Sequence, residues 1–213
     1  MNADPALISR APHWLAISDR PQLLKREGDT CLEAWFRWLK ALTEAGVDSL
    51  QLREKDLGAA ALLQLAKALR PRWPGRLLVN GRLDVALAAD ADGVHLPAAE
   101  IPVGSLRRRF GPRPILGVST HHPDEVKRAA QAGADYVTFG PIFPTPSKMR
   151  YGAPPGLEEL RGAAEVGLPV IALGGVNAEN MPEVLAAGAI GIAGIRAFYE
   201  DASLERLSAG AKR

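Results

Sequence analysis

The 213-residue sequence is poor in several features that would assign it to a particular class of protein. It contains a single cysteine, Cys31, so no internal disulfide can form, and a buried structural thiol in a reducing compartment is expected. It has no excess of one charge, because 26 basic residues face 24 acidic ones and the formal net charge is +2. A broad basic surface for nucleic acid is therefore not expected.

Long apolar runs are also missing. No stretch approaches the roughly 18 apolar residues of a membrane span, and the amino terminus lacks the charged segment and apolar core of a secretory leader. We therefore expect a cytoplasmic protein with no membrane partner. Hydrophobic residues nevertheless make up 47% of the chain, which is enough for a large core, so a single domain over 1–213 is expected.

Short apolar runs alternate along the chain with helical patterns, which is typical of βαβ units around a parallel sheet. The predicted strands are "WLAIS" (14–18), "SLQLRE" (49–54), "RLLVN" (76–80), "GVHL" (93–96), "PILGVS" (114–119), "YVTFG" (136–140), "PVIALGG" (169–175) and "GIAGI" (191–195). Eight strands with intervening helices predict an α/β fold, a closed (β/α)8 TIM barrel. The proline- and glycine-rich loop 141–155 after the sixth strand is expected to be a flexible active-site loop.

The second predicted strand carries the segment "QLREK", whose polarity is unusual for a buried strand. Side chains two apart share a face, so the leucines point one way while Gln51, Arg53 and Lys55 point the other. Unpaired cations are costly to bury, so an anion is expected opposite this polar face. Surface ion pairs with Glu54, Asp56 and Glu100 are the simpler alternative.

Active sites of such barrels lie at the carboxyl ends of the strands, and the residues predicted there are polar or small. Glycines after the last two strands would let backbone N–H groups approach a phosphate. His121 is a candidate proton-transfer residue because imidazole titrates near neutral pH, whereas His95, inside the fourth strand, is expected to be a hydrogen-bonded core residue. The other candidates at this end are Asn80, Ser119, Thr145, Ser147, Lys148, Gly174, Gly175, Gly194, Ile195 and Arg196.

Four longer motifs together resemble one superfamily. They are "QLREK", "VNGRLDVALAADADGVHLP", "GVSTHHPDEVKRAAQAGADYVTFGPIFPTPSK" and "PVIALGGVNAENMPEVLAAGAIGIAG". In this order and spacing they resemble the superfamily of thiamine-phosphate synthases and TenI-type thiazole tautomerases, and the likeness runs from the first strand to the eighth. The resemblance implies that the substrates are small phosphorylated thiazoles or pyrimidines.

The synthase branch, as the resemblance implies, joins a pyrimidine methyl diphosphate to a thiazole phosphate while Mg²⁺ holds the departing diphosphate. The residues that it would assign to the diphosphate are Gln51, Arg53, Lys55, Asn80, Ser119 and Lys148. The residues that it would assign to the thiazole phosphate are Thr145, Ser147, Gly174 and the backbone near Ile195.

The chain departs from the synthase pattern at the metal ligands. Synthases typically carry Asn-Asp after the third strand and an aspartate shortly after the fourth, whereas this chain has Asn80-Gly81 and Glu100. A magnesium site with Glu100 as its sole carboxylate is expected to be weak. "NGR" and "HLP" instead resemble the tautomerase branch, which needs no metal and in which the histidine matching His121 is the acid/base. Arg196 stands where the family usually has serine.

These departures favour a metal-independent, TenI-like thiazole tautomerase that aromatises a thiazole carboxylate phosphate through His121. A thiamine-phosphate synthase that uses Mg²⁺ is the alternative, because "QLREK" and "PTPSK" resemble that branch. A non-catalytic accessory or regulatory protein that binds thiamine precursors is a further interpretation. A homodimer is expected for a soluble enzyme of this size.

Overall fold

The structure, a computed structural model, describes residues 12–27, 31–98, 103–145, 154–200 and 203–207. Eight parallel strands pair in chain order and the last pairs with the first, so the sheet closes into a barrel. The strands are β1 (His13–Ile17), β2 (Ser49–Leu52), β3 (Arg76–Asn80), β4 (Gly93–Leu96), β5 (Ile115–Thr120), β6 (Tyr136–Phe139), β7 (Val170–Leu173) and β8 (Gly191–Gly194). The predicted (β/α)8 TIM barrel is confirmed.

Helices follow the strands on the outside of the barrel. They are α1 (Arg20–Glu27), α2 (Cys31–Glu44), α3 (Ala59–Leu69), α4 (Leu83–Ala88), α5 (Val103–Phe110), α6 (Pro123–Ala132), α7 (Gly156–Ala164) and α8 (Met181–Ala186). Two short 3₁₀ turns, Arg70–Arg72 and Arg196–Phe198, follow α3 and β8. Within the described ranges, no helix has the length and apolar character that crossing a membrane would require.

Strand alternation divides the core into two layers. One set of side chains points outward under the helices, where Leu50 and Leu52 of β2 are fully buried. Burying a leucine in this way contributes about 1.5–3 kcal/mol of transfer free energy. The other set fills the barrel interior. There the buried hydrophobic side chains form a second cluster, which consists of Leu15, Ile17, Leu78, Ile115, Tyr136, Ile171 and Ala193.

The predicted strand ends agree with the structure to within two residues. Two strands end two residues before their predicted ends. One is β7, which was expected to reach Gly175 and ends at Leu173, and the other is β2, which was expected to reach Glu54 and ends at Leu52. The reason at β2 is a hydrogen bond outside the sheet, because the N–H of Arg53 donates to the side chain of Ser18 at 2.8 Å. The chain therefore leaves the sheet two residues before the predicted end of β2, and Arg53 lies at the mouth of the barrel.

Local signals at α6 place His121 at the same mouth. His122 caps this helix, since its Nδ1 accepts a hydrogen bond from the N–H of Asp124 at 3.3 Å, and Pro123 occupies the first helical position. Gly133 ends the helix in a left-handed conformation, with φ +87°. Because the helix starts so soon after β5, His121 is held between the strand end and the cap.

Candidate active site

The carboxyl ends of the strands open into a cavity of about 1150 Å³. Residues from all eight strand ends contribute to its lining, as expected for a barrel of this type. The predicted site residues that line it are Gln51, Arg53, Lys55, Asn80, Ser119, His121, Thr145, Gly174, Gly175, Gly194, Ile195 and Arg196. Ser147, Lys148 and Glu100 lie outside the described residues, as does most of the predicted loop.

The polar face of the "QLREK" segment points into this cavity. Leu50 and Leu52 pack outward, whereas Gln51, Arg53 and Lys55 line the mouth. Gln51 is 2% exposed, and its side-chain Nε2 is buried without a hydrogen-bond partner among the described residues. A buried donor of this kind is costly unless a ligand satisfies it. The segment therefore presents an unsatisfied amide and two cations to the cavity.

The acidic neighbours of these cations are engaged elsewhere. The Glu54 carboxylate accepts hydrogen bonds from the Ser18 hydroxyl at 2.5 Å and from the N–H of Arg20 at 3.0 Å. Its burial raises the pKa of Glu54, and those hydrogen bonds oppose the rise. Asp56 pairs with the Arg20 guanidinium. Within the described ranges, Arg53 therefore has no carboxylate at ion-pair distance, and the alternative of surface ion pairs with Glu54 and Asp56 is not supported.

A second set of donors follows β7 and β8. The N–H groups of Gly174, Gly175 and Ile195 donate to no backbone or side-chain acceptor in the described part of the chain. Gly174 has φ +91°, and a Cβ there would lie 2.6 Å from the Cβ of Pro141, so only glycine fits. The exposed Arg196 adds a positive charge beside these groups. This combination of free N–H groups and a guanidinium suits a phosphate.

The two electropositive regions lie on different sides of one mouth. In the closed ring, β3 and β7 are four strands apart and therefore face each other across the barrel. Asn80 ends β3, next to the Arg53 side, while Gly174 follows β7. The cavity is thus built to take negative charge at two separate places rather than at one.

His121 lies between these regions and is exposed at the cavity wall. Its Nδ1 contacts the carbonyl oxygen of Gly140. A carbonyl only accepts, so Nδ1 carries the proton and Nε2 of the neutral ring has the lone pair. Nε2 has no hydrogen-bond partner among the residues with described positions. His121 is therefore arranged to accept a proton from a bound molecule.

His95 is more than the core residue predicted from the sequence. It is 2% exposed, and its Nδ1 lies 2.9 Å from the Tyr136 hydroxyl. Its Nε2 lies 2.9 Å from Oγ of Ser119, which lines the cavity, and 3.4 Å from Oγ1 of Thr138. Burial, assisted by the charge of Arg53, lowers the pKa of His95 to about 3, so the imidazole is neutral.

The described residues do not fit a magnesium site at the predicted position. Carboxylates that line the cavity are Asp19, Glu179 and Glu200, which follow β1, β7 and β8 rather than β3 and β4. The described ends of β3 and β4 offer the amide oxygen of Asn80 and no carboxylate, and Glu100 lies outside the described residues. Within those same residues, no three metal-binding side chains come together. Mg²⁺ needs near-ideal octahedral oxygen ligands.

The part of the mouth that follows β1 was not predicted from the sequence. Asp19 lines the cavity and is held by the Tyr199 hydroxyl, which accepts its N–H at 2.7 Å, and by Nε2 of Gln22, which donates to its carboxylate at 2.6 Å. Tyr199 in turn stacks on Trp38, with ring centroids 4.5 Å apart. The available signal was an acidic residue directly after a buried strand, in "AISD".

The fold and the mouth define a (β/α)8 barrel whose catalytic end carries cations without a carboxylate partner, and N–H groups without an acceptor, among the described residues. A family model for thiamine monophosphate synthase matches residues 24–198, and the chain belongs to this enzyme family. The chain is 47% identical over 163 residues to the thiamine-phosphate synthase of Roseiflexus sp., covering 75% of this chain and 69% of the relative.

Two further comparisons agree with this family. The thiamine-phosphate synthase of Moorella thermoacetica is 45% identical over 156 residues, covering 71% of this chain and 74% of the relative. The solved structure of a thiamine phosphate pyrophosphorylase from Pyrococcus furiosus superposes with a TM-score of 0.80 at 30% identity, covering 97% of this chain and 98% of the other. The predictions of an enzyme and of its superfamily are confirmed. The preference for the tautomerase branch gains no specific support, because these relatives carry the synthase name or the equivalent one.

Proposed function

We propose that the chain is a thiamine-phosphate synthase that joins a pyrimidine methyl diphosphate to a thiazole phosphate. The observation that carries the proposal is the pair of separate electropositive regions in one cavity, Arg53 with Lys55 and the free N–H groups of Gly174 and Gly175. A synthase must hold two phosphorylated substrates at once, whereas a tautomerase holds one. The names of the relatives support the same activity.

The diphosphate would bind on the side that follows β2, β3 and β5. Arg53 can grip two phosphate oxygens in a fork, and Lys55 adds a mobile charge. The buried, unsatisfied amide of Gln51 and the hydroxyl of Ser119 would supply further hydrogen bonds. When the bond between the methylene carbon and the diphosphate oxygen breaks, negative charge grows on the leaving group. Fixed cations at that place stabilise the transition state.

The thiazole phosphate would bind opposite, at the ends of β7 and β8. The N–H groups of Gly174, Gly175 and Ile195 would hold its oxygens, with Arg196 beside them. The buried Thr145 also lines this wall. The thiazole ring nitrogen would then face the methylene carbon, and a carbon–nitrogen bond would form as the diphosphate leaves. Positioning of both substrates is the main contribution of the chain, and the reaction needs no proton transfer from a side chain.

Magnesium, which the family resemblance implies, would neutralise charge on the departing diphosphate when bound. The described residues offer it the Asn80 amide oxygen and no carboxylate at the ends of β3 and β4. Retained activity would therefore depend on ligands from the diphosphate itself, from water or from Glu100, which lies outside the described residues. The assay with a chelator decides this point.

The tautomerase remains a second candidate because two observations favour it. Gly81 stands where a metal-binding carboxylate is expected in a synthase, and it has φ +69°. His121 carries its proton on Nδ1 and has a free Nε2, which is the arrangement that a proton-transfer residue needs. A synthase has no use for this property, so His121 separates the two reactions.

The test compares both reactions in the purified protein. Thiamine phosphate formation is measured from the pyrimidine diphosphate and thiazole phosphate, with Mg²⁺ and with chelator. Arg53→Ala should lower kcat/KM at least about 30-fold, since hydrogen bonds to a charged group are worth about 2 kcal/mol. His121→Ala should leave this rate nearly unchanged. Arg109→Ala removes an equivalent charge from exposed α5, away from the cavity, and serves as the matched control.

The opposite pattern would overturn the proposal. If the folded protein makes no thiamine phosphate but aromatises the thiazole carboxylate phosphate, and His121→Ala abolishes that turnover, the chain is a tautomerase. If the substrates bind and neither is converted, the accessory interpretation applies.

A further inference from the structure

We propose that Tyr136 and His95 are positioning residues that fix the direction of the Ser119 hydroxyl, so that Ser119 donates a hydrogen bond to an anion in the cavity. The three side chains form a continuous path from the barrel interior to the cavity wall, with steps of 2.9 Å and 2.9 Å. The inference rests on the proposed function only in placing a phosphate or diphosphate oxygen beside Ser119.

The path begins with a hydroxyl that must donate. Tyr136 is fully buried among apolar side chains of the barrel interior, and its hydroxyl contacts Nδ1 of His95. It has no second hydrogen-bond partner among the residues that the structure describes. If the hydroxyl oxygen instead accepted a hydrogen bond from Nδ1–H, the proton of the hydroxyl would be buried without an acceptor, which is the more costly arrangement. The Tyr136 hydroxyl therefore donates to Nδ1.

This direction sets the tautomer of the imidazole. With Nδ1 acting as an acceptor, the single proton of neutral His95 lies on Nε2. The nearest acceptor to Nε2 is Oγ of Ser119 at 2.9 Å, while Oγ1 of Thr138 is more distant at 3.4 Å. The burial that lowers the pKa of His95 to about 3 keeps the ring from gaining a second proton at neutral pH. His95 is thus a fixed donor to Ser119.

The tautomer decides what Ser119 can offer to a ligand. A hydroxyl whose oxygen accepts from His95 keeps its own proton free to point into the cavity. In the opposite tautomer, Nε2 would accept a hydrogen bond from the Ser119 hydroxyl, and only the lone pairs of the serine oxygen would face the cavity. Anions accept hydrogen bonds and do not donate them, so the first arrangement attracts an anion and the second repels it. Arg53, whose charge acts on His95, lies on the same side.

The first measurement is the binding of inorganic pyrophosphate by titration calorimetry. The proteins compared are the wild type, Ser119→Ala, Tyr136→Phe and the double variant. Ser119→Ala should weaken binding about tenfold, since it removes a hydrogen bond to a charged group. Tyr136→Phe should weaken it about threefold, because part of the population then adopts the opposite tautomer. The double variant should bind no more weakly than Ser119→Ala alone.

This coupling separates positioning from a general loss of packing. Val137→Ala, at the neighbouring position of β6 but in the outer core layer, is the matched control and should leave the affinity unchanged in both backgrounds. If Tyr136→Phe weakens binding by the same factor with and without the Ser119 hydroxyl, the inference is wrong. Unchanged binding in Ser119→Ala would also overturn it.

The second measurement reads the tautomer of His95 directly. In protein labelled with ¹⁵N-histidine, the His95 ring should show a protonated Nε2 and an unprotonated Nδ1, and Tyr136→Phe should populate the other tautomer. A wild-type ring protonated on Nδ1 would overturn the inference. Neither measurement involves turnover, so a failure to make thiamine phosphate bears on the proposed function and not on this one.

Discussion

Replacing His95 with glutamine should remove a large part of the acid sensitivity of the fold. Burial lowers the pKa of this imidazole from 6.5 to about 3, so at intermediate pH the unfolded chain binds a proton that the folded chain does not. The resulting stability is present above pH 6.5 and is lost as the pH falls toward 3. At 1.36 kcal/mol per pH unit, its full size is about 5 kcal/mol, of which about 2 kcal/mol is lost between pH 7 and pH 5.

Glutamine suits this test because its amide nitrogen can still donate to Ser119 while its oxygen accepts from Tyr136. The free energy of unfolding is measured in urea at pH 7 and at pH 5. The wild type should lose about 2 kcal/mol more than His95→Gln over this interval. Burial also lowers the pKa of His13, but this group is present in both proteins and cancels in the difference.

His122→Gln provides the control, because His122 is an exposed histidine at the start of α6. It shows how far the pH dependence of the free energy of unfolding changes when an exposed histidine is removed. Equal losses between pH 7 and pH 5 in the wild type and in His95→Gln would refute the reasoning, since they would mean that the buried imidazole accepts a proton in the folded state.

Two other substitutions test the mouth of the barrel. Gly174→Ala should cost about 1–3 kcal/mol of stability and weaken phosphate binding, because its φ is +91° and the new Cβ would lie 2.6 Å from the Cβ of Pro141. Thermal unfolding and calorimetry check this. Gly58→Ala is the control: a Cβ there meets open space, so it should leave phosphate binding unchanged, although Gly58 is the N-cap of α3 and its loss can lower stability. Glu54→Gln should cost about 1–3 kcal/mol of stability. The carboxylate accepts hydrogen bonds from two donors, the Ser18 hydroxyl and the N–H of Arg20, whereas the single oxygen of the amide replaces only one of its two acceptor oxygens. Since burial raises the pKa of Glu54, the wild type loses stability as pH rises through that value, and the deficit of the glutamine variant should be larger at pH 4 than at pH 7. A deficit that grows with pH would contradict this sign.

The barrel could be predicted because the sequence patterns that indicate its strands and helices each lie within a short segment of the chain. Each strand is a short apolar run and each helix repeats apolar residues at spacings of three and four, so eight alternations indicate eight βα units. The same local rule predicted that Gln51 points away from the leucines of β2, and the structure places it at the cavity. Arg53 and Lys55 line the cavity as well, although they lie beyond the end of β2. Side-chain direction along a strand depends only on parity, which neighbouring residues determine.

The contacts inside the mouth could not be predicted from local pattern. His95 was expected to satisfy its hydrogen bonds in the core, but its partners Ser119 and Tyr136 lie 24 and 41 positions away in the chain. Likewise, Glu54 was considered as a partner for its cationic neighbours, whereas it binds Ser18, 36 positions earlier. The alternation of side chains along a strand gives the direction in which each side chain points, but it does not identify the residues that the side chain contacts.

The sequence by itself determined the number of strands, their direction and the polarity of the inward face of β2. Only the closed barrel decided which of those inward groups touch. Pairing of consecutive strands places β4, β5 and β6 side by side, and the curvature of the barrel brings the side chains of His95, Ser119 and Tyr136 together in its interior. Closure also sets Asn80 across the mouth from Gly174, which gives the cavity its two separate places for negative charge. The physical reason is that hydrogen bonds and charges act over a few ångströms in space, and tertiary structure alone brings distant parts of the chain within that range.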